Sequence, residues 1–294
     1  MGQKSELIHP VPYHSLGLQF RDTKPDITKI ISTFAQAGIP LDTIVEDLGY
    51  ENNGVIFTED TCDTDPSKPG LRQRIDSAHA GNVTYTLSFD ISSPTEGKLT
   101  DIFVKNADST IYQGKSTATT SCTDNTKIDV GFLDFYHQNT INYWTNQMQL
   151  FHDNYPFDDA RLDTNIPINE KMESCENWSN ANFPKTYEFG IDICMGTLPL
   201  DAKHTTDIFN DNFMRGPYKE THVDRHNGYG FASAFATLTA FDKIDGNRHL
   251  VTSLSASTGS GQIGVGHVME YTSQKGANYS AFKTVFLNDF LNNL

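Results

Sequence analysis

Acidic residues stand at the ends of four short apolar runs of this chain and are its first candidates for chemistry. These residues are Asp47, Asp90, Asp163 and Glu270. If the runs are parallel strands, the acids gather at one edge of a sheet, where the loops of a parallel barrel form its active site. Two carboxyl groups facing each other across a pocket can hydrolyse a glycosidic bond, one ionised as nucleophile and the other protonated as acid. The same pattern also describes helix N-caps and solvated turns, so both interpretations stay open.

Histidine and cysteine, the usual ligands of transition metals, give no spacing from which we predict a metal site. We predict that no two of the ten histidines form an HxxxH or HxH pair on one face. The four cysteines, which lack CxxC spacing, are Cys62, Cys122, Cys175 and Cys194. We therefore expect no metal.

The acids must be positioned by strands and helices, and both patterns alternate along the chain. Apolar runs typical of strands lie at residues 13–19, 39–47, 83–90, 160–163, 249–255 and 265–270. Apolar residues at the spacing of one buried helix face lie at residues 27–35, 141–151, 231–241 and 282–290. This alternation predicts βαβ units and a parallel sheet.

The length of the chain and two insertions define the fold that we expect. An eight-stranded barrel takes about 250 residues without insertions, and long insertions around residues 49–68 and 169–218 use much of the 294 available. We therefore predict an α/β fold, a partial TIM (β/α)8 barrel with about six of the eight β/α units and loop insertions after strands 2 and 4. Residues 1–294 are expected to form a single domain.

The composition of the chain excludes some classes of binding partner and favours one cellular compartment. The chain has 22 Lys and Arg against 37 Asp and Glu, a net charge of −15. Because such a surface repels phosphate groups, we expect neither nucleic acid nor a membrane surface as a partner. Residues 1–7 lack the apolar core of a signal peptide. Three glycosylation sequons, at Asn82, Asn177 and Asn278, together with paired cysteines favour a secretory origin.

Five strings, in order along the chain, resemble glycoside hydrolase family 31. They are Tyr13-His-Ser-Leu-Gly-Leu-Gln19, Ile39-Pro-Leu-Asp-Thr-Ile-Val-Glu-Asp47, residues 101–115, Phe151-His-Asp-Asn-Tyr-Pro-Phe-Asp158 with Leu162-Asp-Thr-Asn-Ile-Pro167, and His226-Asn-Gly-Tyr-Gly230. The resemblance covers residues 13–290. It implies the catalytic barrel of an α-glucosidase, a retaining enzyme that acts on α-glucosides without a cofactor.

The resemblance also assigns roles to single residues. Asp163 falls on the nucleophile position, and Asp47 on the position that accepts a sugar hydroxyl. Asp47 and Asp163 are alternatively strand-end acids without a catalytic role, and Glu46 is as good a candidate as Asp47 for the solvated acid at the end of this strand. His267 matches the first residue of the family's His-Trp-Thr-Gly-Asp string, whose last residue is the acid/base.

Departures from the family cluster at positions that contact the sugar. Tyr271 stands at the acid/base position and Leu254 at the position of a sugar-binding Arg. Further replacements are Arg161, Thr164, Ile166 and Val268 for Trp, Met, Glu and Trp, and residues 116–120 for a Trp-Pro-Gly turn. A general acid contributes typically 10²–10⁴ in rate, and a tyrosine hydroxyl with an ordinary pKa near 10 is a poor proton donor. Glu270 is a substitute acid candidate, although adjacent strand residues point to opposite faces.

Two functional hypotheses follow. The first is an α-glucosidase-like glycoside hydrolase with Asp163 as nucleophile, whose catalysis is lost or severely impaired. The second is a non-catalytic pseudoenzyme that binds a glycan weakly or serves as a protein-interaction scaffold. In either case the expected ligand is an α-glucoside or oligosaccharide.

The resemblance implies further properties of the chain. They are a secreted, secretory-pathway or lysosome-like location and a disulfide between Cys175 and Cys194, while Cys62 and Cys122 are either a second pair or free thiols. The family's N-terminal β-sandwich and C-terminal domains are expected to be absent. A barrel of six strands has two unpaired edges, so we expect a homo-oligomer or a partner chain that completes the barrel.

Overall fold

The computed structural model of the chain describes residues 17–20, 24–52, 54–60, 68–98, 100–106, 108–115, 128–162, 165, 202–204, 221–255 and 259–267. Nine strands lie in this part of the chain. They are β1 (Gly17–Phe20), β2 (Thr43–Glu46), β3 (Thr84–Phe89), β4 (Ser92–Ser93), β5 (Gln113–Lys115), β6 (Asp129–Phe132), β7 (Asp159–Leu162), β8 (Val251–Ser253) and β9 (Val265–His267).

Six of these strands form one sheet in the order β1-β2-β3-β7-β8-β9, and all neighbouring pairs are parallel. The six predicted strands are therefore confirmed, with bounds that differ by a few residues, and so is the α/β partial barrel. In the described residues β1 and β9 are the edges of the sheet, which does not close.

A second, antiparallel sheet of three strands in the order β4-β6-β5 interrupts the unit between β3 and the next helix. The sequence did not predict it, because its strands are two to four residues long and β4 and β5 carry no apolar alternation. Gly131 in β6 has a packing role: a Cβ there would lie 2.7 Å from the Phe103 ring.

Helices cover one side of the large sheet. They are α1 (Ile27–Ala37), α2 (Leu71–Ala80), α3 (Gln138–Asn154), α4 (His222–Arg225) and α5 (Tyr229–Ile244). The helical patterns predicted at 27–35, 141–151 and 231–241 are confirmed, and the one at 282–290 lies outside the described residues. α2 was missed because most of its positions are polar, including the buried Arg74.

Aromatic side chains join the helices to the sheet. The Trp144 ring of α3 lies with its centroid 5.0 Å from that of Phe57 and 6.2 Å from that of Phe89 on β3. Phe157 lies 5.4 Å from Phe89 and 6.0 Å from Phe241 of α5, centroid to centroid. Large buried rings supply much of the apolar area that stabilises such a core. No helix among the described residues is both long and apolar enough to cross a membrane.

Candidate active site at the strand ends

The two sides of the large sheet have different chemistry. On the helix side, Glu46 of β2 accepts hydrogen bonds from Arg74 of α2 at 2.5 Å and from the Tyr85 hydroxyl at 2.5 Å. On the inner side, which faces away from α2, the hydroxyls of Thr43 and Thr86 lie 3.1 Å apart. Because strand side chains alternate, the odd-numbered residues of β2 and the even-numbered residues of β3 face the inner side. The expectation that Glu46 is solvated is therefore wrong, since this carboxyl is buried and paired.

Asp47 lies at the carboxyl end of β2, on the inner side. Its carboxylate accepts a hydrogen bond from the Leu48 backbone N–H at 2.8 Å and caps the 3-10 turn Leu48–Tyr50. Only 2% of Asp47 is exposed, although it ends a strand. The N-cap alternative from the sequence is thus confirmed for Asp47, and the cap also fixes this carboxylate at the strand end.

Asp90 follows β3 in the equivalent position. One carboxylate oxygen accepts from the Ile91 backbone N–H at 2.6 Å, and the other accepts from the Ser92 hydroxyl at 3.0 Å. Asp90 is buried like Asp47. The ends of two neighbouring strands therefore each hold an ordered carboxylate on the inner side, as the acids in the sequence suggested.

Glu51 is a third acid of this region and was not predicted from the sequence. It is 4% exposed, and neither of its carboxyl oxygens has a hydrogen-bond partner in the part of the chain that the structure describes. Burial raises the pKa of Glu51 well above its usual range, and the nearby charges of Asp90 and Asp47 raise it further. The structure thus brings Asp47, Asp90 and Glu51 within electrostatic reach of one another. An acid inside a polar insertion carries no pattern that distinguishes it from a solvated residue.

Arg161 and Leu254 occupy the inner side of the next two strands. Arg161 of β7 is in register with Ser88 of β3 and Thr252 of β8, so it shares their side of the sheet, and it is 5% exposed. Leu254 comes directly after β8, and its backbone N–H donates to the Leu162 carbonyl at 3.1 Å. The inner side of these two strands thus holds a buried cation and an apolar side chain at the positions that the resemblance assigns to an aromatic residue and to the sugar-binding Arg.

Asn165 forms hydrogen bonds both to the end of β8 and to α5. Its amide nitrogen donates to the Ser253 hydroxyl at 2.7 Å and to the Ser233 hydroxyl at 3.2 Å, while its oxygen accepts from the Ser255 N–H at 2.8 Å. Asn165 is fully buried. It lies two residues beyond Asp163 and retains the Asn of the family's nucleophile string, which was the available sequence signal for it.

Three histidines and one aspartate form a buried hydrogen-bonded row outside the sheet. The distances are 3.0 Å from Asp134 Oδ1 to His204 Nδ1, 2.9 Å from His204 Nε2 to His222 Nδ1, and 3.1 Å from His222 Nε2 to His226 Nδ1. The prediction of no HxxxH pair on one face is wrong, because His222 and His226 are such a pair and bond each other. In the part of the chain that is described, no group of three or more His, Cys, Asp or Glu could hold a metal ion.

The remaining predicted site residues are not described. Asp163, Glu270 and Tyr271 lie outside the described residues, and so do Cys62, Cys122, Cys175 and Cys194. The backbone of His267 ends β9, at the same edge of the sheet as Asp47, while its side chain is not described. Asn82 lies in an exposed turn before β3, at the opposite end of the strands.

Comparison with known proteins agrees with this arrangement. Residues 9–283 match the family model of the glycosyl hydrolases family 31 TIM-barrel domain. Intestinal sucrase-isomaltase of Oryctolagus cuniculus is 27% identical over 282 residues, which cover 84% of this chain and 15% of that protein. Lysosomal alpha-glucosidase of Bos taurus is 27% identical over 269 residues, covering 85% and 26%. The crystal structure of the glucosidase II alpha subunit has a TM-score of 0.60 at 16% identity, covering 85% of this chain and 24% of that one.

The similarity extends along most of this chain but only along a part of each relative. The chain spans 15% and 26% of the length of the two relatives by sequence and 24% of the structural one. The structural similarity establishes the fold, and the family model, which matches far more than half of the chain, establishes the kinship. The chain belongs to glycoside hydrolase family 31.

Proposed function

We propose that this chain binds α-glucosides at the strand ends of its barrel, and that its hydrolytic activity is lost or severely impaired. The observation that carries the proposal is Asp47. It is a buried carboxylate at the carboxyl end of β2 that caps the following turn, and the resemblance assigns to it the role of accepting a sugar hydroxyl. The names of the relatives, an alpha-glucosidase and a sucrase-isomaltase, support an α-glucosidic ligand.

Impaired hydrolysis is supported by what stands beside this carboxylate. Leu254 offers no charge-assisted hydrogen bonds to a sugar, which are among the stronger polar contacts a site can make. Arg161 places a cation where an aromatic wall would stack on the ligand. Tyr271 stands at the acid/base position, and a general acid typically contributes 10²–10⁴ in rate.

Hydrolysis of p-nitrophenyl α-glucoside tests the catalytic part. We expect the same background rate for the wild-type chain and for Asp163→Ala. A rate that is clearly higher in the wild type and is lost in Asp163→Ala would show that catalysis survives.

Binding of oligosaccharides on a glycan array tests the ligand. We expect the wild type to retain α-glucosides and Asp47→Asn to lose them. Asp42→Asn is the matched control, because Asp42 is exposed at the opposite end of the same strand. Equal retention by all three proteins would contradict the assignment of Asp47.

A second candidate is a protein-interaction scaffold, which is favoured by the edges of the sheet. In the described residues β1 and β9 each have a neighbour on one side only, and exposed strand edges are ready to pair with another chain. A homo-oligomer or a partner chain would then complete the barrel. Light scattering tests this: a monodisperse monomer with cooperative thermal unfolding would exclude self-association through these edges.

We place the protein in the secretory pathway or a lysosome-like compartment, supported by the lysosomal relative.

A further inference from the structure

The row of Asp134, His204, His222 and His226 is a polar cluster of the described residues that the proposed glycan site does not use. We name it the histidine row. It connects three segments of the chain. Asp134 lies two residues after β6, and His204 lies in a short described segment. His222 and His226 lie in the two helical turns that precede α5. Asp134, His204 and His222 are at most 2% exposed, whereas His226 is half-buried. One end of the row is therefore accessible and the other is not.

The hydrogen bonds fix the direction in which the protons point. An ionised Asp134 can only accept, so a neutral His204 donates from Nδ1 and its Nε2 carries no proton. His204 Nε2 then accepts from Nδ1 of His222, and His222 Nε2 accepts from Nδ1 of His226. The row therefore ends in an unprotonated Nε2 of His226 at the accessible side. Which nitrogen of a histidine carries the proton is set by the bond that the other nitrogen makes.

We propose that the histidine row is a proton relay that takes up one proton at Nε2 of His226 and stores it on Asp134. The proton from solvent binds Nε2 of His226, and the Nδ1 proton of His226 passes to Nε2 of His222. The Nδ1 proton of His222 passes to Nε2 of His204, and the Nδ1 proton of His204 passes to the carboxylate of Asp134. One proton is consumed, the carboxylate becomes neutral, and every ring has exchanged an Nδ1–H for an Nε2–H.

The geometry permits this transfer without breaking a contact. After it, the Asp134 hydroxyl donates to His204 Nδ1, and each ring donates from Nε2 to the next Nδ1, so the same three pairs of atoms remain bonded in the reverse direction. Uptake also changes the net charge of a buried group from −1 to 0, whereas a lone buried histidine would become a cation, which burial disfavours. The row therefore binds the proton as a unit, and its midpoint belongs to the row rather than to one residue.

The surroundings favour neutral inner rings. Burial lowers the pKa of His222 to about 2, and the neighbouring His204 and His226 lower it further. The other titratable groups that pack here are Tyr136 and Tyr229, whose rings lie 5.4 Å and 5.9 Å from that of His204. The Arg225 guanidinium lies 5.0 Å from the centre of the Tyr136 ring. Burial of Tyr136 and Tyr229 raises the pKa of both hydroxyls, so these two tyrosines stay neutral.

Nitrogen-15 NMR of the full chain with labelled histidine tests the relay. At pH 8 we expect the Nδ1–H form in His204, His222 and His226. On acidification we expect the ring nitrogens of all three to shift together with one midpoint, while the Nε2–H form grows. Signals of His204 and His222 that stay constant while His226 titrates alone would overturn the relay.

Two variants sharpen this test. Asp134→Asn cannot take up a proton, so we expect the common midpoint to disappear and only His226 to respond. His226→Gln removes the accessible end, and we expect His204 and His222 to become insensitive to pH. Asp245→Asn is the control, since it removes the carboxylate from an unrelated pair with His249 and leaves the row intact. If Asp134→Asn does not fold, the wild-type titration decides alone.

Discussion

Glu46 and Glu51 lie five residues apart and are both buried, but they differ in their hydrogen-bond and ion-pair partners. Glu46 lies on the helix side and receives an ion pair from Arg74 and a hydrogen bond from Tyr85. Glu51 lies beyond the end of β2, near Asp47 and Asp90, and neither of its oxygens has a hydrogen-bond partner among the described residues. A buried polar group without partners destabilises the fold by about 1–3 kcal/mol. Of these two carboxyls, the one on the scaffold side is thus paired, while the one at the strand ends keeps an unfavourable charge arrangement.

This contrast is what separates a scaffold from a site. Where only stability matters, a buried charged residue is paired with an opposite charge or replaced. An unfavourable buried residue persists where it serves a function. The retained acids at the strand ends fit a glycan site in a chain whose family contacts at positions 161 and 254 have changed. Four substitutions test the contrast.

The largest effect is expected from Arg74→Met, which attacks the scaffold side. Removal of one partner of a buried ion pair leaves an uncompensated charge and costs about 3–5 kcal/mol. Urea denaturation should therefore show a strongly lowered free energy of unfolding. Arg72→Met is the matched control, because its pair with Asp76 on the same helix is exposed and contributes under about 1 kcal/mol. Equal losses in both variants would contradict the role assigned to the Glu46 pair.

Gly230→Ala tests the contact between α5 and the end of β8. A Cβ at residue 230 would lie 2.1 Å from the Ser255 carbonyl oxygen, so the backbone has to move. Overpacking of this kind costs about 1–3 kcal/mol, and the better helix propensity of alanine offsets up to about 1 kcal/mol of it. Gly261→Ala, where a Cβ meets nothing within 4 Å, should leave the unfolding midpoint within the error of a urea titration. An unchanged free energy of unfolding in Gly230→Ala would mean that α5 and the segment after β8 are not tightly packed at this contact.

Glu51→Gln should stabilise the protein, and the gain should depend on pH. The pKa of Glu51 is raised in the folded state by burial and by Asp90 and Asp47. The folded chain therefore holds a proton that the unfolded chain releases, and wild-type stability falls as pH rises above the ordinary glutamate range. We expect little difference from the wild type at pH 4.5 and a gain on the order of 1–3 kcal/mol at pH 8. Urea denaturation at the two pH values measures it.

The control for this pH dependence is Glu46→Gln. Burial raises the pKa of Glu46 too, although Arg74 acts to lower it. Glu46→Gln, however, leaves the buried Arg74 cation without its counter-ion, so this substitution should destabilise the chain at pH 8. A gain in Glu46→Gln, or a pH-independent effect in Glu51→Gln, would remove the difference between the two carboxyls.

Sequence reasoning found the parallel sheet because its signal is local. Six apolar runs and three amphipathic helices follow the periods of strands and helices, and their alternation leaves few topologies. It also found Asp47 and Asp90, since each directly follows an apolar run. It missed what long-range contacts decide: α2 is polar by pattern but packs through the Glu46–Arg74 pair, and β4–β6 are too short to show a period.

The site residues that were missed share one property. Glu51, Asp134 and His204 are polar residues in irregular segments, and burial by distant parts of the chain gives them their chemistry. His222 and His226 did carry a signal, the HxxxH spacing, and the prediction overlooked it. The fold was thus predictable from the periodicity of apolar residues along the chain. The electrostatics of the site can be predicted only from the assembled structure.

The smallest effect is expected from Asp245→Asn, which disrupts a pair at the exposed end of α5. Desolvation acts to raise the pKa of the Asp245 carboxyl, but hydrogen bonds from His249 and Asn247 together outweigh it and lower this pKa to about 2. A depressed carboxyl pKa stabilises the fold above the ordinary aspartate range, and the contribution is lost as pH falls toward 2. Because solvent screens this pair, the loss at pH 7 should be under about 1 kcal/mol and should vanish near pH 2. A loss as large as that of Arg74→Met would mean that exposure does not separate weak from strong ion pairs in this barrel.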